Sequence, residues 1–325
     1  MKTGIHIALA TAALLASTFG TQVLAQDYPN RPLRFVIPDS PGGVNDRTAR
    51  MISPALGKAL GQNVVVDNRP GAAGIIAWEN VAKNSPADGY TIGMAHSGLM
   101  TVPLFFKDMR FDTLKDLRQV MIFAEAGIPL VASFDAPFKD FNEMITYAKA
   151  NPGKLNFGSP GYQSLPTLII EGIKRRFGLD IVVVVYKAAG DVAPAIYGNQ
   201  VQLSLFSESS ANIGVKAGKM KVLASAAATR SPSFPEAPTL AEVGMKDVAT
   251  GSIFTIMVAR ATPQPVFDRL LKASQDMMAS TELREQLTKA QVYPQVTLSE
   301  EADRKVAALS QFYAGLAKTI GIQPQ

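Results

Sequence analysis

The chain has no cysteine and only two histidines among its 325 residues. The lack of cysteine excludes disulfides, thiolate metal ligands and a thiol nucleophile, so stability must come from the size of the core. His6 lies in the N-terminal leader described below, which leaves His96 as the one imidazole of the remaining sequence. Beyond that leader no apolar run reaches the ~18 residues a transmembrane helix needs. The phosphate-loop pattern GxxxxGK[ST] and the dinucleotide pattern GxGxxG are absent, and "GAAG" at Gly71–Gly74 is a loop-to-helix turn without the third glycine. Acidic residues are dispersed, so no metal-type cluster is expected.

Catalysis has little to work with. A Ser–His pair would have to come from "MAHSGLM", yet His96 and Ser97 are adjacent and point to opposite faces of an extended chain. The flanking glycines of a nucleophile elbow are missing as well. The remaining catalytic reading is a hydrolase in which Asp39 or Asp46 works with His96. No metal and no cofactor is expected.

What is present is an ordinary globular composition, 47% hydrophobic and 18% charged, with enough length for two domains. Residues 1–25 stand apart: Lys2, an apolar and small-residue stretch over Ile5–Phe19, then Val23-Leu24-Ala25. That order reads as a secretory signal peptide cut after Ala25, which predicts an exported, periplasmic protein. The sequence pI is about 9.3, but losing Lys2 leaves 31 basic against 27 acidic residues, a net +4. The one tight basic run, Lys174-Arg175-Arg176, falls at a helix C-terminus, where it complements the dipole. Without clustering and interleaved aromatics, nucleic acid is excluded as a partner, whereas a mildly basic exterior suits an anionic small ligand.

Strand-like and helical runs alternate along most of the chain, which predicts an α/β fold of two mostly parallel sheets. Leu33–Ile37, Val64–Asp67 and Tyr90–Met94 read as strands, and Asp46–Leu60 as a helix with Ala49, Ile52, Leu56 and Ala59 on one face. A second series follows from Asp140 to Ser225, and the last 60 or so residues read as helical. The extended apolar stretches "VMIFAEAGIPLVAS" and "DVATGSIFTIMVARATPQP" separate the series. The economical layout is a first domain of residues 26–124 and 248–325 and a second of 125–247, with two crossings forming a hinge beside a cleft.

Open α/β sheets bind ligands beyond the carboxyl ends of their strands, where helix N-termini offer N–H groups to an anion. Four loops occupy such places: "DSPGGVND", "HSG", "GSPGYQS" and "SESS". Each is compatible with plain turn and capping chemistry. Two in each series could close on one ligand from opposite sides.

At this level the residues match a known family. "YPNRPLRFVIPDSPGGVNDRTAR", "GQNVVVDNRPGAAGIIAWENVAKNSPADGYTIGM", "YKAAGDVAPAIYGNQVQLSLF" and "RSPSFPEAPTLAEVGM" resemble the Bug-type periplasmic receptors of tripartite tricarboxylate transporters, in order and across nearly the whole mature chain. The resemblance implies a two-domain Venus-flytrap fold, no catalysis and a monomeric receptor. It also implies delivery of a carboxylate to a permease with a large and a small membrane subunit. A sensor of the same fold feeding a regulatory partner is the alternative. Carried over residue by residue, the carboxylate would be held by Ser40, Gly42, Gly43, Val44 and Asn45, with Asp46 capping and shaping the loop. Ser97 would join from the second loop, Ser159, Gly161, Tyr162, Gln163 and Ser164 from the third, and Ser207 from the fourth. Several positions depart from the family's pattern and would tune the ligand: Asp39-Ser40 before Pro-Gly-Gly, bulky Tyr162-Gln163, and Ser207-Glu208 where the family often has Asp. Arg47 either meets a second carboxylate or is a solvated helix residue, and Tyr162 either stacks on a ring or covers the cleft. His96 is a further tuning candidate.

Overall fold

In a computed structural model, the described residues are 28–162, 164–186, 189–245, 251–319 and 321–322. The expected signal peptide and Gln163 lie outside them.

The first sheet begins as the alternation predicts. Strands β1 (Leu33–Ile37), β2 (Val64–Asn68) and β3 (Thr91–Ala95) run parallel, with β1 between the other two. Helix α1 (Val44–Leu60) and helix α2 (Ile75–Ala82) connect them. The α1 stripe Ala49, Ile52, Leu56 and Leu60 is buried against the sheet, and Gly61 ends the helix in the left-handed conformation with φ 77°.

A short helix α3 (Gly98–Thr101) then leads to β4 (Leu117–Ala126), the longest strand. A single residue, Gly127, separates β4 from β5 (Ile128–Ser133), which belongs to the other sheet. The second sheet adds helix α4 (Phe141–Ala150), β6 (Leu155–Ser159), α5 (Leu165–Phe177), β7 (Ile181–Val185), α6 (Ala189–Tyr197), β8 (Leu203–Leu205), α7 (Glu208–Lys216) and β9 (Met220–Ala226). Its order is β7-β6-β8-β5-β9. The chain returns through β10 (Ser252–Ala259), which inserts between β3 and β4 and completes the order β11-β4-β10-β3-β1-β2. Helices α8 (Gln264–Met278) and α9 (Thr281–Lys289), strand β11 (Tyr293–Leu298) and helix α10 (Ser299–Thr319) follow.

Two features differ from the sequence expectation. The sheets are mixed rather than mostly parallel: β4, β5, β9 and β10, the strands flanking the crossings, all pair antiparallel. A chain that enters the second sheet along one strand and leaves along another must reverse direction there, whatever the outer βα units do. The tail is also not wholly helical, because Tyr293–Leu298 pairs with β4 as an edge strand broken by a register shift between Pro294 and Thr297. Proline is tolerated at such edges and irregularities.

Helix α10 touches both sheets. Asp303 accepts the Gln119 N–H at 2.8 Å and pairs with Arg260 at 3.0 Å on the first-sheet side. Its apolar face, Ala302, Val306, Leu309 and Tyr313, is buried in the second sheet's cluster with Leu165, Leu168 and Phe157.

Candidate functional site

Between the sheets lies a cleft of about 630 Å³, with the crossing at Ala126, Gly127 and Ile128 as part of its wall. The N-termini of α1, α5, α6 and α7 all contribute residues to it.

The loop from β1 to α1 forms one side. Gly42 takes φ +84°, which an L side chain would strain, and its N–H donates to Asp46 Oδ2 at 2.9 Å. Asp46 also accepts from Asn68 Nδ2 at 2.9 Å and Arg50 Nε at 3.0 Å. Desolvation pushes the Asp46 carboxyl up, but hydrogen bonds from Arg50, Gly42 and Asn68 and the Arg50 charge outweigh it and bring the pKa down to about 2. The carboxylate therefore braces the loop from behind and does not line the cleft. Gly43 is the helix N-cap in an extended conformation and supplies no side-chain cap. The first-turn N–H groups of α1, which have no intrahelical acceptor, open beside the lining residues Gly43, Val44 and Asn45. The Asn45 amide donates to Asp39, and Arg47 folds back to donate to Gly42 O.

His96 joins from the end of β3. Its Nδ1 accepts the Gly98 N–H at 2.9 Å, which places the proton of the neutral ring on Nε2, 3.8 Å from Asp39 Oδ1. Desolvation lowers the imidazole pKa below its usual value, and the Asp39 charge opposes that shift. Ser97 points away: its hydroxyl sits 3.4 Å from Gly251 O and accepts from Ile253 N at 3.3 Å, clipping the returning strand.

On the other side, Ser159 is fully buried. Its hydroxyl, with those of Ser164 and Thr167, gathers around Gly161 O at 2.6–2.8 Å. These hydroxyls tie the loop to the start of α5, where Ser164 is the N-cap. Pro160 and Pro166, rather than the serines, present that loop to the cleft. Tyr162 is 61% exposed and stands off the cleft wall, as does exposed Ser40. Ser207 caps α7 by accepting from Ser210 N, and Ser207, Ser209 and Ser210 line the cleft. Glu208, 1% exposed, accepts through Oε1 from Ser231 and from Tyr293 of β11, tying the second sheet to the first. Burial and this carboxylate raise the Tyr293 pKa.

Of the residues named from sequence, Asp39, Gly42, Gly43, Val44, Asn45, Arg47, His96, Ser207 and Glu208 line the cleft. Ser40, Asp46, Ser97, Ser159, Gly161, Tyr162 and Ser164 do not, and where their partners are known they brace loops instead. The reading from sequence missed Phe206, Phe254, Gln291 and the crossing residue Gly127. They meet only because of the sheet order, and no local motif marks them.

A family model described as the tripartite tricarboxylate transporter family receptor matches residues 48–321. A Cupriavidus necator protein described as "UPF0065 protein in gbd 5'region" is 33% identical over 295 residues, covering 91% of this chain and 89% of that one. Among solved structures, the periplasmic binding protein BugD superposes with a TM-score of 0.79 at 26% identity, covering 92% of this chain and all of that one (100%). Rpa4515 of R. palustris with adipate gives 0.81 at 30% identity, with 92% and 100% covered. MatC from Rhodopseudomonas palustris with bound malate gives 0.72 at 25%, with 90% and 98% covered. The overall fold superposes on these structures, and the chain belongs to the Bug-type receptors of the tripartite tricarboxylate transporter family.

Proposed function

We propose that this protein is an exported solute receptor that captures a small organic carboxylate in the cleft and hands it to a large- and small-subunit membrane permease. The observation that carries the reading is the convergence of four helix N-termini on one cleft between two sheets joined by narrow crossings. Unpaired N–H groups and the helix dipole favour a carboxylate there without an arginine clamp. Relatives solved with adipate and malate support the ligand class. The turn of the Ser97 hydroxyl towards Gly251 supports binding rather than turnover, since it takes the one serine beside His96 out of reach. The two sheets act as domains that close on the ligand about Gly127 and the return segment near Gly251. The receptor acts as a monomer in the periplasm after cleavage at Ala25.

Ligand that binds only the folded state raises the melting temperature by mass action. A thermal-shift screen of mono-, di- and tricarboxylic, aromatic and amino acids should yield stabilising hits, and silence from all of them at millimolar concentration would sink the reading.

A further inference from the structure

The wall of the cleft has a second face. A further cavity, of about 230 Å³, shares Ala126, Gly127 and Glu208 with the cleft. The outgoing crossing therefore separates two spaces, the cleft in front and this cavity behind. At the start of β11 the division repeats: Val292 lines the cleft, whereas Tyr293 lines the rear cavity.

Hydrogen bonds bridge the two sheets behind the crossing. The Tyr293 hydroxyl donates to Glu208 Oε1 at the start of α7, and Ser233 Oγ lies 3.1 Å from the same hydroxyl. Gln291 Nε2 donates to Ser233 Oγ at 2.8 Å. Tyr293 belongs to the first sheet through the pairing of β11 with β4. Glu208 and Ser233 belong to the second. Helix α7 packs on β5 and β9, and the segment after β9 is anchored by Phe234 and Ala237 in one cluster with Val131 and Ile196. Ser231 donates to Glu208 Oε1 as well, and the Ser233 N–H donates to Ser231 Oγ at 2.9 Å, so the second-sheet half of the contact is already assembled. Glu208 is 1% exposed, and hydrogen bonds to an ionised acceptor are stronger than neutral ones.

The crossings are the narrow points about which the sheets can turn. A rotation that closes the cleft in front widens the space behind. It draws Tyr293 away from Glu208 and Ser233.

We propose that Tyr293 and Ser233, acting with Glu208, form a rear latch that favours the open cleft and sets ligand affinity from outside it, a device that rests on the receptor reading above. Closing breaks the latch, and that cost is subtracted from binding. Observed affinity is the intrinsic affinity of the closed form reduced by the fraction of protein able to adopt it. Releasing the latch raises that fraction, so affinity rises by one factor whatever acid is bound.

The test is calorimetric titration of the mature protein with malate, succinate, adipate, glutamate and benzoate, in the wild type and in Tyr293→Phe. Tyr293 and Ser233 do not line the cleft. Tyr293→Phe should unfold at lower urea, because it removes hydrogen bonds of the unliganded protein, and yet bind at least about threefold tighter. Every acid that binds should gain by the same factor. Ser233→Ala provides the same readout if Tyr293→Phe does not fold. A merely structural Tyr293 would lower stability and leave binding unchanged or weaker, which overturns the proposal. Gains that differ from acid to acid also overturn it, because the residue would then act on the bound molecule and not on the opening. Binding of none of the five acids by the wild type overturns the receptor reading, and the latch with it.

Discussion

Two titrating residues in the cleft loops make separable predictions. His96 owes its lowered pKa to desolvation, with Asp39 pulling the other way. Removing that charge by Asp39→Asn should lower the imidazole pKa further, as read from its NMR titration, and a rise would show that the Asp39 charge does not stabilise the imidazolium. A depressed histidine takes up a proton less readily in the folded state than in the unfolded one. Its effect is therefore to weaken the fold as pH drops below the ordinary histidine value. Asp46 has the opposite chemistry and acts at lower pH. Its carboxyl falls from 3.8 to about 2 on folding, so the stabilisation it gives is complete above the unfolded value and is lost as pH falls through about 2. Melting temperature followed from pH ~5 to ~2 should drop less steeply in Asp46→Asn than in the wild type. Asp46→Ala leaves the Gly42 N–H and the Asn68 amide without their carboxylate, which should cost about 1–3 kcal/mol in urea unfolding. Equal stability would mean that the glycine loop does not need its brace.

At the scale of elements, the crossings decide how the sheets can move. A Cβ on Gly251 would fall 2.2 Å from Ala126 O, a backbone atom of the outgoing strand, whereas a Cβ on Gly127 would meet only the side-chain atoms Glu208 Oε2 and Ser225 Oγ at 2.9 Å. Side chains can yield and paired backbones cannot. Gly251→Ala should therefore destabilise by about 1–3 kcal/mol or more, and Gly127→Ala by clearly less, as read from urea midpoints. The reverse order would mean that the crossings are not in backbone contact. These elements also show what the sequence could and could not disclose. Apolar spacing from Ala49 to Leu60 marked α1, and "SPGG" marked a loop needing a left-handed glycine, because both signals are local. The antiparallel direction of β4, β5, β9 and β10 is a property of strand order and leaves no local trace. β11 went unread because Pro294 interrupts its alternation between two helical runs. Ser159 and Ser97 looked like ligand hydroxyls, and only the packed loops reveal that they turn inward to bind Gly161 O and the strand near Gly251.

For the whole molecule, the proposed closure is what would link the crossings, the cleft and the proposed function. Helix α10 is hydrogen-bonded to the first sheet through Asp303 while its apolar face is packed into the second sheet's core, so it ties the two together. The proposed closure would then be a rotation about the crossings and this helix rather than a separation of the sheets. Glu208, accepting from Ser231 on one side and Tyr293 on the other, sits at the same junction. A bound ligand touching both cleft walls would favour the closed arrangement by its extra contacts there. The lack of any cysteine permits a direct measurement, since dye-labelled cysteines can be introduced with no native thiol to compete. Lys58 on α1 and Lys149 on α4 are exposed and belong to opposite sheets. With Lys58→Cys and Lys149→Cys carrying a donor and an acceptor dye, a stabilising acid should shift the transfer efficiency in a saturable way at the concentrations that raise the melting temperature. The Asp46→Ala variant should need more ligand for the same shift, because its loop is no longer braced. Saturated binding with unchanged transfer would show that the sheets hold one arrangement and that the cleft fills without closing.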